Sequence, residues 1–185
     1  MGGRGSGSPL TKSVITPAIE KEMHEILKKL SPAGDDVLDL KLPELEGSPR
    51  QVAWAEKLRD ETMSDLKRSL ELDKDVSYVY GVSNVNENIK EYRDAYKKGE
   101  KAMAAVLKDG EKRLREKGAS QEYRQKWLTN HTRAFYQIDA ADKKIRKLAS
   151  IKSASWWIDH ARDRYSRQDI HRDVFGRQIT AGLWD

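Results

Sequence analysis

The stretch SQEYRQKWLTNHTRAFYQIDAADKKIRKL, residues 120–148, decides the fold. Its apolar positions are Tyr123, Trp127, Ala134, Ile138, Ala141, Ile145 and Leu148, and after Trp127 they recur at spacings of 7, 4, 3, 4 and 3. That is a heptad-like seam on one face of a helix, with His131 midway in the wide gap. One helix of about 30 residues would run near 45 Å at 1.5 Å per residue. A seam that long must be covered. Packing against other helices of the chain is the expectation, and a homo-oligomer through this helix is the alternative.

Upstream, Asn84 or Asn86 opens a helix carrying Val85, Ile89, Tyr92 and Tyr96, which continues through Met103, Val106, Leu107 and Leu114 to a terminal cap at Gly118. Gly99 and Gly110 each weaken that continuation by about 1 kcal/mol relative to alanine. Tyr78–Val82 reads as a loop or short strand. Earlier still, Ser48-Pro49-Arg50-Gln51 combines a cap, a proline preset for the first turn and a capping-box glutamine. The stripe Val52, Ala55, Leu58, Thr62, Leu66 and Leu70 follows, with Trp54 off it. Residues 35–47, broken by Pro43, read as an extended segment on the helical core. Thr16-Pro17 starts a first helix bearing Ile19, Met23, Ile26, Leu27 and Leu30, which Ser31-Pro32-Ala33-Gly34 ends. The fold is therefore expected to be all-α or nearly so, with about five helices. Residues 1–15 form a Gly/Ser arm, 16–152 the helical domain, and 153–185 a basic, aromatic-rich segment docking on it and ending in a loose arm.

Composition narrows the functional classes. The chain has 185 residues, 35% of them charged and 37% hydrophobic, no cysteine, and net charge +5. The missing cysteines exclude disulfides and thiolate metal sites. No apolar run approaches the roughly 18 residues of a membrane span, so no membrane role is expected and the cytoplasm is the expected compartment. Residues 119–185 hold 13 Lys/Arg against 8 Asp/Glu, a surplus equal to that of the whole chain. Such a basic third suits nucleic acid or an acidic protein face.

Two clusters interleave aromatics with cations. One holds Tyr123, Arg124, Lys126, Trp127, Arg133, Phe135 and Tyr136; the other holds Lys152, Trp156, Trp157, Arg162, Arg164, Tyr165 and Arg167. Single-strand binders stack bases on aromatics while cations track phosphates, and protein interfaces favour the same residue types. Arg124, Lys126, Arg133, Trp156, Arg162, Arg164 and Arg167 are the candidate partner contacts. Adjacent Trp156 and Trp157 cannot share a helix face, so one is expected in the core and the other at a surface. Two His/Asp clusters, at 159–163 and 169–173, have no metal-ligand spacing on a helix. His24 and His131 read as helix-surface or half-buried residues. With no phosphate-cradling loop, nucleophile elbow or cysteine nucleophile, neither an enzyme nor a cofactor is expected.

Two segments resemble known sequences. The opening Met1-Gly2-Gly3-Arg4-Gly5-Ser6 resembles the start of small phage and prophage proteins encoded near portal and head-morphogenesis genes. Residues 42–59, LPELEGSPRQVAWAEKLR, resemble a module of uncharacterised phage and mobile-element proteins, carried by Leu42, Pro43, Leu45, Gly47, Ser48, Gln51 and Trp54. In those proteins an aromatic-Trp-Ile-Asp-x-Arg segment follows downstream. Here it is Trp156-Trp157-Ile158-Asp159-His160-Ala161-Arg162, with Ala161 inserted before the arginine. The resemblance covers about 30 residues and implies a phage or prophage origin without an activity. Residues 42–59 are expected to dock on the tail, with Trp54 receiving the tryptophan pair. The leading expectation is a non-enzymatic binding protein, a virion or head-module accessory acting in the host cytoplasm or within the virion. Two alternatives stand beside it: a nucleic-acid-binding accessory using the basic third, and an inhibitor of a host defence nuclease of the anti-CRISPR kind.

Overall fold

A computed structural model describes residues 9–30, 32, 36–71 and 89–175. The glycine arm at 1–8, most of the helix-ending turn at 31–34, the loop at 78–82, the Asn84 or Asn86 cap and the terminal arm from Gly176 lie outside the described residues.

Seven α-helices and no strands are present among the described residues. They are α1 Pro17–Leu27, α2 Pro49–Glu71, α3 Ile89–Lys98, α4 Glu100–Glu116, α5 Gln121–Ala149, α6 Ala154–Ala161 and α7 Arg164–Phe175. The expected five become seven because two stretches break. At Gly99 the backbone turns left-handed, φ +91°, a conformation that glycine adopts without a Cβ penalty, so α3 and α4 are separate helices joined by one residue. In the tail, Asp163 caps a second helix by accepting a hydrogen bond from the Ser166 amide at 2.9 Å.

The caps read from sequence form as physical chemistry requires. Thr16 accepts from the Ile19 amide at 3.3 Å. Ser48 and Gln51 make a reciprocal box, Ser48 N–H to Gln51 Oε1 at 3.1 Å and Gln51 N–H to Ser48 Oγ at 3.4 Å. Gly118, at φ +76°, closes α4 in a Schellman arrangement, with the Ala119 amide on the Leu114 carbonyl and the Gly118 amide on that of Arg115.

The 29-residue α5 is the axis of the molecule, about 43 Å long, and packs against α1, α3, α4 and α7. Its seam is covered from within the chain. Trp127, Ala134, Ile138, Ala141, Ile145 and Leu148 are all buried. Tyr123 is not: it is 51% exposed, because the buried stripe enters the first turn through Arg124 instead. Gly110 is no weak point. It is buried in α4, and a Cβ there would overlap the six-membered ring of Trp127, so the absent side chain is what lets the indole lie against α4.

The boundary drawn at residue 16 also moves. Pro9–Thr11 forms a 3-10 turn and Val14 is buried, so residues 9–15 belong to the packed body.

Candidate functional site

Residues 42–59 meet the tail segment that carries Trp156 and Trp157. The Glu46 amide donates to the Lys152 carbonyl at 2.7 Å, and the Ala154 amide donates to the Glu46 carbonyl at 3.0 Å, a single parallel bridge between Glu46 and Ser153. A Cβ on Gly47 would stand 3.0 Å from that of Ala154, so the small residue permits the close approach. Leu45 is buried, Leu42 and Pro43 half-buried, and Arg59 donates to the Pro43 carbonyl at 2.6 Å. From this joint α6 lies on α2 more extensively than any other helix pair is packed. Trp157 is wholly buried, its indole N–H on the Ile151 carbonyl at 3.1 Å. Docking of residues 42–59 on the tail is therefore present, but Trp54 does not receive the tryptophans: it is 51% exposed.

The basic candidates do not form one surface. Arg124 is 0% exposed, held by Glu111 at 2.6 Å and by the carbonyls of Lys12 at 2.6 Å and Ala119 at 3.2 Å. It cannot touch a partner. Arg167 is partly buried against Glu61 at 3.4 Å and the Ala161 carbonyl at 3.3 Å. Lys126, Arg133, Arg162 and Arg164 are exposed, the third of them 3.6 Å from Asp163. Trp156 is half-buried.

The histidines also divide. His24 is half-buried, 2.9 Å from Glu100, and His160 is exposed. His131, read as a surface or half-buried residue, is 0% exposed because the wide gap in the seam turns inward. Its ring stacks on Trp127 at 3.8 Å, Nδ1 meets the Tyr92 hydroxyl, and Nε2 has no hydrogen-bond partner among the described residues. Burial pushes its pKa down from 6.5 to about 3, since a cation there would lose its hydration. Between those values the unfolded chain binds the proton and the folded chain does not. Stability should therefore fall as pH drops through that window, by about 1.4 kcal/mol per unit from this residue. Denaturant melts between pH 7 and pH 5 check it, and His131→Gln should flatten the profile. A profile equally steep in that variant would assign the slope to other groups. His171, from the second His/Asp cluster, is also buried and lies 2.9 Å from the Ser69 hydroxyl.

Among the surface grooves of the described residues, two flank α5. One, about 460 Å³, lies between α1 and α5 over Ile19, Ile26, Leu128 and Tyr136. The other, about 730 Å³, lies between α5, α6 and α7 and brings Asp159 and His160 together with Asp169 and Asp173. The two His/Asp clusters thus do share a groove, without His171. No group of three or more His, Asp or Glu among the described residues could hold a metal ion. No helix among them is long and apolar enough to cross a membrane.

Sequence reading missed Glu111, although a carboxylate at the next helical position after Met103 and Leu107 is a signal for a buried charge. Lys144 and Lys147, which line the larger groove, carried no local motif. No protein-family model matches the chain, and no curated protein or solved structure matches it either.

Proposed function

We propose that the chain is a phage- or prophage-encoded, non-enzymatic binding protein that docks on a protein partner, the head or another part of the virion being the leading candidate. The observation that carries this reading is the set of large aromatics left at the surface of a strongly charged protein: Trp54 at 51%, Tyr123 at 51%, Tyr136 at 40% and Tyr165 at 78% exposure. Rigid amphipathic rings of this kind supply contact area at low entropic cost and anchor protein interfaces. The phage assignment draws on the resemblance of residues 1–6 and 42–59. The packing of residues 42–59 against residues 152–157 supports treating the two parts of the module as one structural unit.

Nucleic-acid binding is the second reading, favoured by the exposed Lys126 and Arg133, seven residues apart on one face of α5. It is weakened by the burial of Arg124 and the engagement of Arg167. Two measurements test the pair. Full-length protein should co-sediment with head particles of the phage that encodes it. Binding to labelled single- and double-stranded DNA should be absent at about 200 mM salt. Tight DNA binding that weakens steeply between about 50 and 200 mM, through counterion release, with no co-sedimentation, would reverse the order of the readings.

A further inference from the structure

We propose that a small cavity between α3 and α5 is a binding site for one ordered water molecule, which joins Arg93 of α3 to Asp142 of α5. The inference is independent of the docking reading and concerns how the core closes around a buried charge.

The cavity measures about 20 Å³. A single water needs roughly 10–15 Å³ on that measure, together with polar partners, so the space suits one molecule. Arg93 supplies the first partner. It is 8% exposed; its Nη1 donates to the Leu70 carbonyl at 2.9 Å, and its Nη2 lies 3.6 Å from the Asp36 carboxylate. Its Nε–H is buried and has no hydrogen-bond partner among the described residues. A donor shut away from bulk water and left unmet is costly, and Arg93 lines this cavity. Asp142 lines it from the other helix and is also 8% exposed. Its Oδ2 accepts from Arg146 Nε at 2.9 Å, which takes one of the roughly four lone-pair sites of a carboxylate.

The lining also selects what enters. A cation would face the Arg93 guanidinium and the ammonium of Lys97, which lines the same cavity and is bonded to Asp36. An anion would face the Asp142 carboxylate. A small neutral molecule that accepts on one side and donates on the other satisfies both, and water is that molecule at this volume. Tyr96 completes the polar side, its hydroxyl proton given to Asp139 at 2.9 Å. The rest of the lining, Val37, Leu70 and Ile138, is apolar and holds the water in place by offering it nothing else. Arg93 then ties three elements together. It reaches the end of α2 at Leu70, the cap of the 3-10 turn Val37–Asp39 at Asp36, and α5 through the water.

The test uses the full-length protein labelled with ¹⁵N. The Arg93 Nε–H signal, assigned by its loss in Arg93→Lys, should show a cross-peak at the water frequency. Its NOE and ROE should have opposite signs, the mark of a bound molecule and not of surface hydration. The cross-peak should persist in Tyr96→Phe, which removes an exchanging hydroxyl proton able to mimic water. It should be lost in Asp142→Leu, which takes away the acceptor. Melting curves establish that both variants fold; for one that does not, the parent's own cross-peak decides. The Arg93 Nε–H shift should also be the same in chloride and in sulfate buffer. No cross-peak in the parent, its loss in folded Tyr96→Phe, or its survival in folded Asp142→Leu would overturn the inference. So would a shift that depends on chloride, because it would place an anion in the cavity.

Discussion

Replacing Glu111 with alanine is expected to lower the unfolding free energy by about 3–5 kcal/mol, the range for removing one partner of a buried ion pair. Glu111 is 1% exposed and Arg124 0%, with 2.6 Å between them. The carboxylate also accepts the Ser13 hydroxyl at 3.0 Å and the Val14 amide at 3.3 Å, while the guanidinium donates to the Lys12 carbonyl at 2.6 Å. One pair therefore fastens the start of the described chain to the α4–α5 hairpin. Without the carboxylate, a guanidinium stays buried with its charge uncompensated, and two donors at residues 13 and 14 lose their acceptor. Denaturant unfolding measures the loss. Limited proteolysis should report new cleavage near Lys12. The double variant Glu111→Leu with Arg124→Met removes both charges and should recover much of the stability. A Glu111→Ala variant within about 1 kcal/mol of the parent would show that water reaches the pair and that burial is not what makes it matter.

The same pair shows where reading from sequence stops. Capping is local: Thr16, Ser48 with Gln51, and Gly118 work within a few residues of themselves, and each forms as read. The stripes of α2 and α5 were legible because a repeat along one helix is visible without knowing its neighbour. Arg124 was misread because its local company, Tyr123 and Lys126, is exposed, and only a carboxylate from another helix makes burial tolerable. His131 was misread for a related reason: a gap in an apolar seam looks polar until an aromatic partner, Trp127 one turn away, stacks on it. The two glycines of the α3–α4 stretch look alike in sequence. Gly99 breaks the helix through a positive φ and Gly110 continues it because an indole presses on it, a difference set by tertiary contacts. The acidic clusters at 159–163 and 169–173 were visible as clusters. That four of their His and Asp side chains line one groove depends on the turn between α6 and α7.

Trp157→Ala should be among the most damaging substitutions in the tail, costing about 3–5 kcal/mol as a buried aromatic truncation. The side chain has no exposed surface, and its indole N–H holds the Ile151 carbonyl just before the bridge at Ser153. Truncation opens a cavity under α6, an eight-residue helix too short to stand without tertiary packing. The effect should spread to the close approach of Gly47 and Ala154 and to the Glu46 bridge, because these rely on α6 being seated. Trp157→Phe keeps most of the ring volume and loses the hydrogen bond, so it should fall between the parent and the alanine variant. Trp54 supplies the control. As a half-exposed tryptophan on α2, it should tolerate alanine within about 0.5 kcal/mol, while any partner that uses it would bind more weakly. Thermal and denaturant melts of the three variants settle the order. An unchanged melting temperature for Trp157→Ala would mean that the two segments of the module are held by their backbone bridge and not by the tryptophan. Loss of partner binding in that variant would then report a contact surface instead of a collapsed joint.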